Sequence, residues 1–147
     1  MRLISSIALF LICAVAAIAG TPLDDAKKFF DRYVALEAAF DITAADLYHN
    51  DAKIQNTRTY PTGQKRVQTM PAPAYKQLIK QAMPLAKERG DTNTYSDIKF
   101  AQEGDKVRVT ASRYSNLKKY SSPVSLLVGP NKEGVWLIYE ELSESQP

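Results

Sequence analysis

The chain has one cysteine, Cys13, and one histidine, His49, in 147 residues. Cys13 lies inside an apolar N-terminal run, so the rest of the chain has no thiol for a disulfide, a thiolate nucleophile or a metal site. His49 has no recognisable partner, which leaves no serine, cysteine and histidine set for nucleophilic catalysis. Net charge is also scarce. Nineteen basic against sixteen acidic residues leave +3, which argues against nucleic acid as a partner, since such binders concentrate a basic face. The longest apolar run is thirteen residues, 7–19, shorter than the roughly twenty that a membrane span needs. There is no repeat, no low-complexity tract and no second domain boundary. No acidic or histidine cluster has metal-ligand spacing, because Asp24 and Asp25 read as a helix start and Glu140 and Glu141 as a strand end. No cofactor is implied.

The N-terminal run reads as a signal peptide over residues 1–19. Arg2 supplies a short basic start, residues 7–19 the apolar stretch, and Ala17, Ile18 and Ala19 a small-x-small cleavage site before Gly20. An uncleaved anchor that recruits Leu3 and Ile4 is the alternative. Cleavage implies a secreted or periplasmic protein with no stable membrane insertion. The remaining residues, 20–147, have the size of one domain. Without cysteine, that domain depends on packing for stability.

Hydrophobic spacing gives the element order. Thr21, Pro22, Leu23, Asp24 and Asp25 open a helix. Ala26, Phe29, Phe30, Tyr33, Leu36 and Phe40 then form an apolar stripe at three- and four-residue steps. Asp41 is placed to cap a second, short helix over residues 43–48, and a strand follows over 53–59. A turn at 60–63 leads to a strand over 65–70 and a rigid Pro71, Ala72, Pro73 linker. A helix over 75–89 follows, with Gly90 as its C-cap and a kink or early end expected at Pro84. Strands over 94–102, 106–117, 122–128 and 135–143 finish the chain as an antiparallel meander. This order is that of an α+β fold.

Residues 40–56 carry a resemblance. Arg32 and Tyr33, Phe40 and Asp41, Asp46, Leu47 and Tyr48, Asp51 and Ala52, and Ile54 stand in a pattern that resembles the nuclear transport factor 2-like superfamily, with its SnoaL-like and ketosteroid-isomerase-like branches. Gly134 and Trp136 before a final strand ending at Glu141, Leu142 and Ser143 look like the same group. The resemblance covers nearly all of residues 20–147. It implies a curved antiparallel sheet wrapped on about three helices, a cone-shaped cavity, and often a homodimer.

The resemblance also implies a catalytic set to look for. The isomerase branch uses a carboxylate base and an oxyanion hole of a tyrosine and a protonated aspartic acid. Tyr33 matches that tyrosine. The base position is Asn56, an amide without useful basicity. The aspartic acid position falls among Ser125, Leu126 and Leu127, which have no carboxyl group. The dehydratase branch needs cavity histidines, whereas His49 sits in a polar turn and is expected in solvent.

Two charged residues share strand faces with apolar neighbours. Arg113 alternates with Val107, Val109 and Ala111, and Glu140 with Trp136, Ile138 and Leu142. If these faces point inward, the charges pair with each other or grip a ligand. If not, both lie past the sheet's edge, and a single bulge reverses the parity. The tyrosines, with Lys65, Arg66, Lys118 and Lys119, form either an aromatic and basic recognition surface or ordinary half-buried strand positions.

The expectation is an exported, non-catalytic binding protein. Its cavity would hold a small apolar ligand, or its sheet face a protein partner. Tyr33, Tyr48, Asn56, Arg113, Trp136 and Glu140 are the candidate ligand-binding residues. A divergent isomerase or dehydratase-type enzyme, and a homodimeric interaction or inhibitor module, are the alternatives. A cavity carboxylate with a raised pKa would favour the enzyme.

Overall fold

Helix α1 (Pro22–Ala38) starts in a capping box. The Thr21 hydroxyl accepts the Asp24 N–H at 3.2 Å, and the Asp24 carboxylate accepts the Thr21 N–H at 3.4 Å. These coordinates are a computed structural model that describes residues 20–147, so the signal peptide read over residues 1–19 lies outside the described residues. Among the described residues no helix is long and apolar enough to cross a membrane.

The end of α1 is unusual. The Phe40 N–H donates to the Glu37 carbonyl and the Asp41 N–H to the Leu36 carbonyl, the paired bonds that close many helices. The position between them calls for left-handed backbone, normally a glycine, and here it is Phe40 with φ of 55°. A side chain in that region costs roughly 1–2 kcal/mol. Helix α2 (Ala72–Arg89) closes with the same two bonds, from Gly90 and Asp91, and uses glycine at the left-handed position.

Asp41 caps the next element as its spacing predicts, accepting the Thr43 N–H at 2.8 Å. The element is a 3-10 helix, Ile42–Leu47, and it gives way to strand β1 (Tyr48–Thr59) five residues earlier than expected. Strand β2 (Lys65–Pro71) runs directly into α2. Pro71 to Pro73 is therefore a strand end and a first helical turn, where a missing N–H costs nothing. Pro84 does not end α2, which continues to Arg89. Strands β3 (Asn93–Glu103), β4 (Lys106–Ser115), β5 (Tyr120–Pro130) and β6 (Trp136–Ser145) complete the chain.

The six strands form one curved, unclosed sheet in the order β2-β1-β6-β5-β4-β3. All neighbours are antiparallel except β1 and β6, which are parallel. Register breaks in β1, β3 and β6 bend the sheet. Helix α1 lies across the concave face. Phe30 stacks on Tyr33 and meets Tyr95 and Phe100 of β3 edge-on at 5.6 and 6.2 Å. Phe30, Val107, Val109, Leu126, Val128 and Ile138 are fully buried and form the core.

Helix α2 packs mainly over β1 and the 3-10 helix, with a smaller contact to β2. Of its side chains, Ala72 alone is buried, while Leu78 and Leu85 remain 45% and 52% exposed. Tyr75 and Ile79 pack against the core, while Met83 and Ala86 turn toward the sheet half-buried. The space between them and the concave face is a cavity.

Candidate functional site

The cavity has two lobes that share Arg113 and Ser145. The outer lobe, about 310 Å3, lies between Phe40, Ile79 and Met83 on the helical side and Glu37, Arg58 and Arg113 on the charged side. The inner lobe, about 300 Å3, is lined by Ile54, Met70 and Leu78 with Asn56, Tyr75 and Glu141. Each lobe is at the lower end of the size range of small-molecule sites.

Glu141 is the polar centre of the inner lobe. It is 2% exposed. The Tyr48 hydroxyl donates to one carboxylate oxygen and the Tyr75 hydroxyl to the other, the latter at 3.0 Å. Two donors satisfy a charge that would otherwise be very costly to bury. Burial first, and then the Glu141 charge, push both phenols well above their ordinary value of 10.0. They remain donors at any physiological pH. Next to them, Asn56 is engaged at both ends. Its Nδ2 donates to the Ser143 hydroxyl at 3.0 Å and its Oδ1 accepts from the Ser145 hydroxyl at 2.8 Å.

Glu37 and Asp91 are the acidic groups lining the outer lobe, and Glu37 is the one held by hydrogen bonds. Tyr95 donates to it at 2.6 Å and Asn93 at 2.9 Å. Burial raises its pKa above the ordinary glutamate value of 4.5. The two hydrogen bonds and the Arg113 charge oppose that rise without cancelling it. Arg113 forms no salt bridge among the described residues, and its Nη2 donates to the Glu144 carbonyl at 3.2 Å. Among the described residues no three histidine, aspartate or glutamate side chains gather into a metal site.

The structure brings together four of the six sequence candidates. Asn56 and Arg113 line the inner lobe, and Tyr48 stands behind its wall, bonded to Glu141. Tyr33 lies behind them, buried on α1 and stacked on Phe30. Trp136 is elsewhere, against Phe29 and Arg32 of α1 at the opposite end. Glu140 is on the outer face of the sheet. There it pairs with Arg108 at 2.7 Å and Lys53 at 3.4 Å.

A bulge causes that difference. Leu127 pairs with Glu140 but the next residue of β5, Val128, pairs with Ile138, so β6 carries one extra residue. Tyr139 and Glu140 both project outward, and Glu141 takes the inward place that strict alternation from Ile138 assigns to Glu140. Arg113 and Glu140 therefore cannot pair. His49 is also on the outer face, only partly exposed, with its ring stacked on Tyr139 at 4.8 Å. Tyr48, Tyr75 and Tyr95 serve internal glutamates and are not a recognition surface.

Sequence reasoning passed over Glu141, Glu37 and Arg58. A signal existed for two of them. Glu37 is one helical turn beyond Tyr33 on the same side of α1. Arg58 continues the inward alternation of Ala52, Ile54 and Asn56. Only the bulge distinguishes Glu141 from Glu140.

This arrangement of sheet and helices is the nuclear transport factor 2-like fold. No family model and no curated protein sequence matches the chain. Among solved structures it is similar to an NTF2-like protein of unknown function from Pseudomonas putida, with a TM-score of 0.64 and 11% identity over 84% of this chain and 85% of that one. A second such protein, from Shewanella oneidensis, gives a TM-score of 0.61 and 17% identity over 85% of this chain and 100% of that one. ActVI-ORFA from Streptomyces coelicolor gives 0.57 and 10% over 82% and 95%. At these identities the likeness defines the fold alone.

Proposed function

We propose that the protein is an exported, non-catalytic binding protein that holds a small, largely apolar molecule in the cavity under α2. The observation that carries this reading is the placement of α2. Its first half meets the core through Ala72, Tyr75 and Ile79, while Leu78 and Met83 face unfilled space, and Asn56, Arg113 and Glu141 line that space below it. The strained Phe40 at the outer lobe supports it further, because costly backbone tends to persist where a site needs the side chain. The outer sheet face is a weaker candidate for a partner. Lys53, Glu140, Arg108 and Glu103 neutralise one another across it. The export reading rests on residues 1–19 of the sequence.

Native mass spectrometry of the protein purified gently from its own export compartment tests this. A bound small molecule that leaves on denaturation is the expected result. An empty protein of twice the chain mass would shift the function to the sheet face and a homodimer.

One observation favours a second reading. Glu37 is a cavity carboxylate with a raised pKa, a common property of acid and base catalysts. In that reading the protein is a divergent isomerase or dehydratase-type enzyme. Incubating the released ligand with the protein in heavy water would expose it, as deuterium uptake or loss of water that disappears in Glu37→Gln.

A further inference from the structure

The outer lobe holds more positive charge than its carboxylates neutralise. Arg58 lines it from β1, Arg113 from β4 and Lys118 from the turn after β4. None of the three makes a salt bridge among the described residues. Arg113 and Lys118 reach only the carbonyls of Glu144 and Gln146, at 3.2 and 3.4 Å. On the acidic side, Glu37 and Glu141 act on Arg113 through their charge, Glu37 is also engaged by Tyr95 and Asn93, and Asp91 lies just past α2.

Two independent features single out Arg58. Its Nε is buried and has no hydrogen-bond partner among the described residues. A buried donor left in that state costs about 1–3 kcal/mol. Arg58 is also directly opposite Arg66 across the β1 and β2 pair, so both project to the same face. Like charges in that relationship repel. Tyr60 sits between them, its ring 5.8 Å from one guanidinium carbon and 5.5 Å from the other, which holds the arginines in place without neutralising them.

From this geometry we infer that the outer lobe binds the anionic headgroup of an amphipathic small molecule, a carboxylate or an equivalent oxyanion, between Arg58 and Arg113. The inference rests on the cavity reading above and names its ligand class. The anion accepts charge-assisted bonds from the Nη groups of Arg58, which have no partner among the described residues, and relieves the repulsion from Arg66. Lys118 closes the rim. The apolar body of the ligand lies against Phe40, Ile79 and Met83.

Two fluorescent probes of similar shape test it on the mature protein: anilinonaphthalene sulfonate, an anion, and N-phenyl-naphthylamine, which is neutral. The sulfonate is expected to bind more tightly, to be displaced by octanoate and not by octanol, and to lose roughly ten- to a hundredfold in affinity in Arg58→Met. The neutral probe is expected to bind that variant unchanged. Equal affinity for the two probes, or sulfonate binding that survives Arg58→Met, overturns the anion site and leaves the cavity reading standing. Binding of neither probe overturns both. Circular dichroism reports whether Arg58→Met folds. If it does not, Lys118→Gln at the exposed rim replaces it: a loss confined to the sulfonate supports the site, and unchanged sulfonate affinity overturns it.

Discussion

The Tyr48 hydroxyl donates to the Glu141 carboxylate across 93 positions of sequence. Tyr75 reaches the other oxygen of the same group. One buried charge therefore joins β1, β6 and α2 at the wall of the inner lobe. Hydrogen bonds to charged groups contribute about 1.5–3 kcal/mol each. Tyr48→Phe and Tyr75→Phe are each expected to lose about that much in urea unfolding. The double variant should depart from the sum, because both hydroxyls act on one carboxylate.

The two adjacent glutamates of β6 should behave differently. Glu141→Leu strands two phenols in the core and is expected to cost about 2–5 kcal/mol. Glu140→Gln removes an ion pair on the outer face but keeps a hydrogen-bonding amide there, and should cost about 1 kcal/mol. The pH response adds a sign. Burial raises the Glu140 pKa, but the hydrogen bonds and charges of Arg108 and Lys53 outweigh it and leave it below 4.5. Its contribution is thus present above the ordinary value and lost as pH falls through the lowered one. Thermal melts of Glu140→Gln should show a shallower loss of stability in acid than the parent.

Glu37 has the opposite sign. Its pKa is raised in the folded chain, so the folded state holds the proton more tightly than the unfolded one. Its contribution is fully present below the ordinary value of 4.5 and is lost as pH rises through the raised value. Melting temperature measured from pH 4.5 upward should fall less in Glu37→Gln than in the parent. The same slope in both would place the titration elsewhere.

Arg58 is expected to lower the stability of the empty protein. Arg58→Met removes an unpartnered buried donor and a like-charge neighbour of Arg66 while keeping an apolar stem of similar length. The variant should be more stable by about 1 kcal/mol, a gain of a few degrees in melting temperature for a domain of this size. A loss of stability would mean that Arg58 has a partner in solution.

The fold was legible because its signals are local and redundant. Thr21 to Asp25 announce a helix start, Gly90 a helix end, and the alternating residues from 94 onward an antiparallel meander. The alternation of Val107, Val109 and Ala111 puts Arg113 on their face, but only the cavity lining decides between an inward place and one past the sheet's edge. The site was less legible because its polar parts depend on long-range facts. The inserted residue at Tyr139 and Glu140 leaves no mark in composition, yet it decides which glutamate is buried. Pro84 misled for a different reason. It sits on the exposed side of α2, where a lost backbone bond can be replaced by water, and the helix continues through it. The early start of β1 follows from its pairing with β6, as Tyr48 is already opposite Ile138.

The most direct measurement of the cavity's role is amide NMR of the mature protein titrated with the neutral probe N-phenyl-naphthylamine, which does not depend on the anion site. Saturable shifts clustered at Ile54, Asn56, Met70, Tyr75, Ile79 and Arg113 are expected, with Lys53, Arg108 and Glu140 on the outer face unmoved. Shifts confined to that outer face, or no saturable shifts at all, would contradict a ligand-binding cavity under α2.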